Sequence, residues 1–537
     1  MDIIDEELKA RCGAADEINL GNLLTVIRDN KDTEYGKKYG FEDIKRVEDY
    51  RSRVPLTDYS DYEESIARMR NGEKNVLTVY SPETYCCTSG TTGASKYIPV
   101  SRTALERYSD YCERCKNKLI REKHGRRFLI NSFRTDIDKP PSELSLITEA
   151  YYRYLYESGL MSAETYVGGK DMIFVRGEDD IMYAKVWEAF ASPDIVLFEA
   201  VFMYEILGFF SYIEENWRVM LRDMKAHNIP GNISLSEKVR EYLLSLKLTE
   251  RRLEEIEHEC SAGFGGIAVR LWKRLELASG IGNRRYLTEE AALKRYLGGV
   301  KCYYQFYCAS ECLLGMPVRL DDFDYVLFPD NAFFEFIRCD GKSERLYLPH
   351  ELEVGALYEP VITNFSGLYR YRMGDVVRIK GFEGKSPIME FMYRKGQALN
   401  IAGEKYDINQ LERAVYDLRN DGMIVDNYCF GASLETIPGK YIAVMSLEKG
   451  SGPDGLTEDM LAEHLDRSLC RNSNDYADLR GLGQLDMPRV LLCGINEYAG
   501  FAADVGLNRK HGHNKAKHIF KQEVSERKWT AIIHKAR

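Results

Sequence analysis

The stretch TSGTTGASK, residues 88–96, joins hydroxyl side chains, two glycines and a lysine in one short loop. Glycines allow backbone N–H groups to wrap around phosphate oxygens, hydroxyls add hydrogen-bond donors, and Lys96 adds positive charge. The loop therefore favours a phosphate-binding function. The same composition is also typical of a flexible turn, so its neighbours must decide between the two interpretations.

This loop differs from the P-loop, which joins a strand directly to a helix. The spacing from Gly90 to the next glycine is too short, and YIPVS follows Lys96. Pro99 lies within this extended run, so a helix cannot begin at Lys96. Ser101 is the expected N-cap of the helix that follows. The sequence predicts a loop between two extended segments.

A second motif is YCASECLLG, residues 307–315. The ring of Tyr307 offers a stacking face for a nucleotide base. After the small Ala309, Ser310 suits a phosphate and the carboxylate of Glu311 suits Mg²⁺. The alternative is the end of a strand that carries a solvated glutamate.

A third motif is LYRYRMGDVVRI, residues 368–379, in which aromatic residues alternate with arginines before Gly374. Asp375 follows the glycine, and its two carboxylate oxygens can accept both hydroxyls of a ribose. A simple Gly-Asp turn at the end of a strand is the alternative interpretation of this motif.

The three motifs, in this order, resemble those of the adenylate-forming superfamily of acyl-CoA synthetases, luciferases and peptide-synthetase adenylation domains. YCASE and YRYRMGD are most similar to the plant auxin-responsive acyl-acid amido synthetase family and its bacterial relatives. That family makes jasmonate– and auxin–amino acid conjugates. The segment GIAVRLWKRLELASGIGNRRY, residues 266–286, extends the resemblance, which covers most of the chain.

The resemblance implies an α/β adenylate-forming fold in two domains. The large N-terminal domain, residues 1–393, is expected to have mixed sheets flanked by helices and a β-barrel-like portion. A hinge at 394–396 leads to a small, mobile α+β domain at 397–537. The run YRKGQALNIAGEK, residues 393–405, is similar to the superfamily hinge, with Gly396 at the pivot. A glycine turn between domains is compatible with this role.

The implied reaction is ATP-dependent activation of a carboxylic acid as an acyl-adenylate, followed by transfer to the amine of an amino acid. Mg²⁺ is implied on Glu311. The implied nucleotide-binding residues are Thr88, Ser89, Gly90, Thr91, Thr92, Gly93, Tyr307, Ala309, Ser310, Asp375 and Arg394, with Asp375 and Arg394 at the ribose. Lys96 and Lys515 are the implied catalytic residues.

The assignment of Lys515 comes from the tail RKHGHNKAKHIFK, residues 509–521. By analogy with the superfamily, this segment supplies a second lysine that supports adenylation. The tail departs from the family pattern, since Lys517 and His518 stand where proline and arginine are expected. Lys517 therefore remains an alternative, and so does a basic tail exposed to solvent.

Two other functions remain open at this stage. An acyl-CoA ligase would use the same adenylation step, and Gly403 lies where such ligases bring pantetheine past the hinge. A nucleotide-binding regulatory protein without catalysis is the other alternative. The presence of Lys96, Glu311 and Asp375 favours an active enzyme.

Composition supports a small-molecule enzyme. The chain has 537 residues and a formal net charge of −10, so we expect several domains and no nucleic-acid partner. The acidic amino terminus does not resemble a signal peptide, and the apolar run 194–217 predicts a buried helix rather than a membrane span. Thirteen cysteines, an odd number, predict reduced thiols, with Cys112 and Cys115 on one buried helical face. We expect a cytoplasmic monomer.

Hydrophobic patterns predict the order of the other elements. Residues near 203–260 are typical of helices, and the chain from about 300 onward is typical of strands. The last segment predicts a helix at INQLERAVYDL, a strand at KYIAVMSLE, a helix at TEDMLAEHLDRSL and a strand at PRVLLCGI. This alternation is typical of a small α+β unit.

Overall fold

A computed structural model describes residues 3–88, 96–121, 124–133, 147–174, 180–282, 287–339, 345–395, 401, 408–433, 435–436, 438–481, 485–505, 519–520 and 524–536. The chain divides into two compact units, and the main division falls between Phe391 and Met392, although residues 287–288 belong to the smaller unit. No helix among these described residues is both long enough and apolar enough to cross a membrane.

The α-helices are α1 (Glu6–Gly13), α2 (Ala15–Asp29), α3 (Glu34–Tyr39), α4 (Val47–Arg53), α5 (Glu63–Arg70), α6 (Arg102–Leu119), α7 (Ile147–Glu157), α8 (Gly169–Ile173), α9 (Ile181–Phe190), α10 (Met203–Lys225), α11 (Glu237–Ser245), α12 (Glu250–Ser261), α13 (Ile267–Leu271), α14 (Leu287–Leu297), α15 (Ile408–Asp417), α16 (Glu458–Asn472), α17 (Asn474–Gly481), α18 (Ile495–Asp504) and α19 (Glu526–Ala536). Short 3₁₀ helices lie at Phe41–Asp43, Tyr59–Asp61, Pro349–Glu351 and Leu418–Asp421.

The strands are β1 (Pro82–Thr88), β2 (Lys96–Ser101), β3 (Arg126–Leu129), β4 (Ile195–Phe202), β5 (Leu277–Ile281), β6 (Lys301–Tyr304), β7 (Tyr307–Cys308), β8 (Leu313–Pro317), β9 (Asp324–Leu327), β10 (Ala332–Arg338), β11 (Leu346–Tyr347), β12 (Leu357–Asn364), β13 (Tyr371–Arg372), β14 (Asp375–Glu383), β15 (Ser386–Arg394), β16 (Val425–Ser433), β17 (Lys440–Leu447) and β18 (Arg489–Leu492).

The two extended segments predicted on either side of the loop are confirmed by the antiparallel pair β1–β2, in which Thr88 is opposite Lys96. Helix α6 begins directly after β2. The side chain of Ser101 accepts a hydrogen bond from the Ala104 N–H at 3.3 Å, as an N-cap residue does. Cys112 and Cys115 both lie on the buried face of α6.

The larger unit contains a parallel sheet in the order β3-β4-β5-β6. The prediction of one buried helix across 194–217 is wrong for its first part, since Ile195–Phe202 is strand β4 and α10 begins at Met203. Every residue of β4 is buried. A parallel strand covered on both faces is apolar throughout, so periodicity alone does not separate it from a buried helix.

A nine-stranded sheet corresponds to the strand-rich region predicted after residue 300. Its order is β11-β10-β12-β14-β15-β9-β8-β7, with β13 paired to β12. The pairs whose register is described are antiparallel. Helix α2 packs against β10. The sheet places β7, β8, β13 and the start of β14 in one framework, and these strands carry the second and third motifs.

The smaller unit contains a three-stranded sheet in the order β16-β17-β18. β16 and β17 are antiparallel, whereas β17 and β18 are parallel. Helices α15 and α16 pack against each other and contribute to the core of this unit. The predicted alternation of helix, strand, helix and strand is therefore observed in α15, β17, α16 and β18.

Candidate active site

The YCASE motif forms the tip of a β-hairpin. Strands β7 and β8 pair, and the backbone groups of Ala309 and Cys312 exchange hydrogen bonds of 2.9 and 3.2 Å. This arrangement leaves Ser310 and Glu311 as the two central residues of the turn. Ser310 is half-buried, and Glu311 is buried. A tight turn fixes both side chains relative to the sheet.

The YRYRMGD motif lies beside this turn. Residues 371–372 form β13, and Gly374 has φ +75°, a conformation that favours glycine. The chain then enters β14 at Asp375, which is also buried. The Gly374 N–H donates to a carboxylate oxygen of Glu359 at 3.2 Å. The glycine therefore allows the sharp change of direction that precedes Asp375.

Two tyrosines join the motifs in a crossed arrangement. The hydroxyl of Tyr307, in the second motif, donates to Oδ2 of Asp375 in the third at 2.9 Å. The hydroxyl of Tyr371, in the third motif, donates to Oε1 of Glu311 in the second at 3.3 Å. The Asn364 amide adds a 2.8 Å hydrogen bond to the Glu311 carbonyl oxygen. The two carboxylates are thus fixed by partners from both motifs.

The predicted stacking of adenine on Tyr307 stays a prediction. The residue is 8% exposed, and its ring contacts Tyr325 and Phe391 at centroid distances of 5.9 and 5.8 Å. Its hydroxyl has the additional role of contacting Asp375, which the sequence did not indicate.

A cavity adjoins the turn at Ser310 and Glu311. Its apolar wall comes from the end of β2 and the first turns of α6, with Val100, Ala104, Leu105 and Tyr108, and from Ile147. The lining also includes polar residues: Ser310, Glu311, Asn331, Asn364 and Ser366. This combination suits a ligand with an apolar body and a polar end near the turn.

Sequence reasoning missed the segment 57–62, which supports the third motif. Thr57 Oγ1 and the Tyr62 hydroxyl both donate to the Tyr369 carbonyl at 2.7 Å, and the Tyr369 N–H donates to the Tyr62 hydroxyl at 2.9 Å. Backbone hydrogen bonds also join Thr57 to Arg370 and Arg372. Burial raises the pKa of Tyr62 to about 12, so its hydroxyl remains a donor at neutral pH. The segment has no motif that could have revealed this role.

The same segment also contacts Lys96. The Lys96 Nζ lies 5.3 Å from the ring centroid of Tyr59, a cation–π distance. The Tyr59 hydroxyl accepts a hydrogen bond from the Tyr97 N–H at 2.8 Å. The pKa of the neighbouring Asp58 is lowered by hydrogen bonds from Ser60 and, more weakly, by the charges of Lys96 and Arg372. The segment 57–62 therefore contacts both the third motif and Lys96 at the end of the first.

Several predicted site residues lie outside the described residues: Ser89, Gly90, Thr91, Thr92, Gly93, Gly396, Gly403, Lys515 and Lys517. The side chains of Thr88 and Arg394 also lie outside the description, although their backbones end β1 and β15. The roles assigned to these residues remain predictions.

The donor set fits a magnesium ion shared with phosphate. The described residues contain no group of three His, Cys, Asp or Glu side chains that could hold a metal by itself. Mg²⁺ commonly binds through one or two carboxylates together with substrate phosphates rather than in an all-protein cage. The Glu311 carboxylate at the tip of the turn meets this requirement.

Sequence comparison identifies the family. The model of the GH3 family N-terminal domain matches residues 5–301, and that of the GH3 family central domain matches residues 325–394. The chain belongs to the GH3 family. This GH3 chain is 28% identical over 484 residues to indole-3-acetic acid-amido synthetase GH3.8 of Oryza sativa subsp. indica, covering 85% of this chain and 79% of the relative.

A second relative is indole-3-acetic acid-amido synthetase GH3.4 of Arabidopsis thaliana. It is 26% identical over 480 residues, or 84% of this chain and 80% of the relative. The predicted family and the predicted class of enzyme, an amide-forming ligase, are confirmed by these GH3 relatives.

Solved structures confirm the predicted fold. The GH3.15 acyl acid amido synthetase matches with a TM-score of 0.83 and 21% identity, over 98% of this chain and 95% of that chain. 2-Hydroxyisobutyryl-CoA ligase in the postadenylation state matches with a TM-score of 0.56 and 13% identity, over 98% and 94% of the two chains. The GH3 chain therefore has the fold of these adenylate-forming enzymes.

Proposed function

We propose that this GH3 chain activates a carboxylic acid with ATP and transfers the acyl group to the amine of an amino acid. The observation that carries this proposal is the turn at Ser310–Glu311, which lines a partly apolar cavity and belongs to the motif whose Tyr307 contacts the buried Asp375. A nucleotide held by the motif residues and an acid held in the cavity would meet at this turn. The named GH3 relatives support the amide-forming second step.

The reaction has two balanced steps. In the first, an oxygen of the substrate carboxylate attacks the α-phosphorus of ATP, and the bond to the β-phosphate oxygen breaks to release pyrophosphate. In the second, the amine attacks the acyl carbon, the bond to AMP breaks, and the nitrogen loses a proton. Such phosphoryl chemistry depends mainly on placement and on neutralisation of charge.

The proposed residue roles follow the motifs. Lys96 and the loop before it bind the triphosphate, Ser310 contacts the α-phosphate, and Asp375 binds the ribose together with Arg394. Glu311 would hold Mg²⁺, which when bound neutralises part of the phosphate charge. Lys515 supports adenylation from the smaller unit, and a pivot at 394–396 would allow that unit to move away for amide formation. These roles can be separated by assays of each half-reaction.

We expect Glu311→Gln to raise the Mg²⁺ concentration needed for half-maximal acid-dependent ATP–pyrophosphate exchange. The substitution keeps the shape of the side chain and removes its charge, and losing one charged ligand typically weakens metal binding by about tenfold or more. Titration of exchange with Mg²⁺ would measure the shift. Glu353→Gln, at a side chain that is 59% exposed, is the control and should leave the midpoint unchanged. An unchanged midpoint in Glu311→Gln would contradict the metal assignment.

We expect Leu105→Phe to lower kcat/KM for the preferred acid by about tenfold or more, because a change of one or two methylene volumes in an apolar pocket has this effect. Leu105 is buried in the cavity wall. The affinity for ATP should stay unchanged. Leu119→Phe is the matched control, since Leu119 is buried on the same helix but does not line the cavity. Equal losses in both variants would place the acid elsewhere.

The competing acyl-CoA ligase function differs only in the acceptor. Release of AMP by the protein with ATP and pooled acids, measured with CoA or with a panel of amino acids, distinguishes the two. If AMP were released only when CoA is the acceptor, and with none of the amino acids, the amido synthetase proposal would be contradicted. An absence of pyrophosphate exchange with every acid would favour the regulatory protein without catalysis.

The proposed setting of this reaction is the cytoplasm, with the chain acting as a monomer on small molecules. In support, the described cysteines form no disulfide. Reduced thiols are typical of that compartment. Sedimentation of the purified protein would test the monomer.

A further inference from the structure

Arg370 has an unusual backbone conformation for its residue type. Its φ is +47°, in the left-handed region that residues other than Gly, Asn and Asp rarely adopt. The residue is also buried, with 4% of its surface exposed. An arginine that is both buried and left-handed persists only where its surroundings hold it in place.

The guanidinium of Arg370 has three partners. Nε donates to Oε2 of Glu335 at 3.1 Å, and one terminal nitrogen donates to the carbonyl oxygens of Val54 and Arg51 at 2.6 and 3.2 Å. Glu335 is fully buried on β10. The charge is therefore paired and hydrogen-bonded, as a buried arginine requires.

The backbone of Arg370 is held from two sides as well. Its N–H donates to Thr363 Oγ1 at 3.0 Å, and its carbonyl oxygen accepts from the Thr57 N–H at 3.0 Å. Strand β12 and the segment 57–62 thus hold the residue between them. The side chain and the backbone together fix the direction in which the chain leaves residue 370.

That direction determines the position of the next residues. Tyr371 follows directly and contacts Glu311, and Asp375 follows after the turn at Gly374. A rotation at residue 370 would move both contacts, because the path from 371 to 375 is short. A small change of the backbone at residue 370 would therefore disturb both proposed ligand carboxylates, Glu311 and Asp375.

We propose that Arg370 is a positioning residue, which holds the segment 371–375 in the shape that presents Glu311 and Asp375 to Mg²⁺ and ATP. The inference rests on the proposed function, because it assigns a purpose to the geometry of that site. Arg370 itself is buried and contacts protein groups, so it acts through its neighbours.

Three substitutions separate the side chain from the backbone. Arg370→Lys keeps a charge but loses the planar guanidinium that reaches Glu335 and the two carbonyls together. Arg370→Ala loses the charge and disfavours the positive φ. Arg370→Gly also loses the charge but permits the positive φ. We expect the dissociation constant for AMP, measured by calorimetry, to increase by about tenfold or more in Arg370→Ala. Arg370→Gly should show a smaller increase.

Arg370→Lys is expected to disturb folding least, because it keeps a positive charge. The expected increase of its AMP dissociation constant is smaller than that of Arg370→Ala. The Mg²⁺ midpoint for ATP binding should rise in parallel in all three variants. All measurements are made below the onset of thermal unfolding of each variant, so that loss of fold does not mimic loss of affinity.

Arg252→Ala is the matched control. Arg252 is buried on α12, and its guanidinium donates to the carbonyl oxygens of Phe190 and Leu271 at 3.0 and 2.8 Å. It has no contact with the motif residues among the interactions described. The control should lose stability but keep the AMP dissociation constant of the unchanged protein.

The inference is overturned if the Arg370 variants lose stability, as Arg252→Ala does, while their AMP dissociation constants and Mg²⁺ midpoints stay unchanged. It is supported if the AMP dissociation constant increases more in Arg370→Ala than in Arg370→Gly and stays unchanged in the control. A failure of the unchanged protein to bind AMP or ATP would instead overturn the proposed function, and the inference with it.

Discussion

Lys116→Met is expected to lower the free energy of unfolding of the larger unit by about 3–5 kcal/mol, the range typical of removing one partner from a buried ion pair. Lys116 lies on α6 with a fully buried side chain. Its ammonium contacts Glu199 on β4 and lies 3.3 Å from Oε1 of Glu113. Methionine fills a similar volume, so the loss comes mainly from the two carboxylates left behind.

The surrounding groups are matched to the charge of Lys116. The hydroxyl of Tyr152 donates to Glu199 at 2.8 Å, and that of Tyr151 donates to Glu113 at 2.9 Å. Arg127 is the second cation and pairs with Glu113 at 2.6 Å. Without Lys116, two buried carboxylates would share one cation, and one negative charge would remain uncompensated.

The loss should depend on pH. Burial alone would raise the pKa of Glu113, but the charges of Lys116 and Arg127 lower it from 4.5 to about 2. A carboxyl whose pKa is lower in the folded chain stabilises the fold above its ordinary pKa, and this contribution is lost as the pH falls toward the lower value. The difference in free energy of unfolding between the unchanged protein and Lys116→Met should therefore be largest near neutral pH. It should become smaller below about pH 4.5.

Urea unfolding of both proteins across this pH range would measure the effect. Arg102→Met is the control on the same helix, because its ion pair with Glu106 is exposed on both sides and should contribute less than about 0.5 kcal/mol. The double variant Lys116→Met/Glu199→Gln should recover part of the loss, since it removes the uncompensated charge. A loss in Lys116→Met no larger than in the control would contradict the argument.

Lys515→Ala is expected to slow acid-dependent pyrophosphate exchange by about a hundred- to a thousandfold, the usual effect of losing a pre-placed charge at a reacting phosphate. Lys515 lies outside the described residues, so this expectation rests on the sequence resemblance. If the smaller unit brings this ammonium to the α-phosphate only during adenylation, the second step does not need it. The same variant, given a preformed acyl-adenylate, should form the amide at nearly the parental rate.

Single-turnover assays of the two half-reactions would test this separation. Lys517→Ala is the matched control, two residues further along the same tail. Parental exchange in Lys515→Ala and slow exchange in Lys517→Ala would transfer the role to Lys517. An equal loss in both half-reactions would show that the lysine does not act in adenylation alone.

Local signals in the sequence predicted much of the structure. Pro99 and Ser101 located the end of an extended segment and the start of α6, because both act through their immediate neighbours. The second and third motifs are joined by the hydrogen bonds from Tyr307 to Asp375 and from Tyr371 to Glu311, whereas the ligand roles of Ser310, Glu311 and Asp375 stay predictions. The apolar run at 194–217 was misassigned because burial on both faces removes the periodicity that distinguishes strand from helix.

The missed features depend on contacts between distant parts of the chain. Thr57 and Tyr62 reach Tyr369 across more than 300 residues, and no local pattern marks either residue as a partner. The hydrogen bond between Tyr307 and Asp375 spans 68 residues. The positive φ of Arg370 follows from its tertiary partners, since arginine has no intrinsic preference for that conformation.

The hydrogen bonds between the segment 57–62 and Tyr369 also have a consequence for folding during synthesis on the ribosome. The two partners are separated by 312 and 307 residues. At translation rates of about 5–20 residues per second, Tyr369 is synthesised roughly 15–60 s after the segment 57–62. During that interval the nascent chain carries Tyr62, which is fully buried in the finished protein, without its final partner. The hydrogen bonds that join the segment 57–62 to Tyr369 can therefore form only after synthesis has passed the third motif.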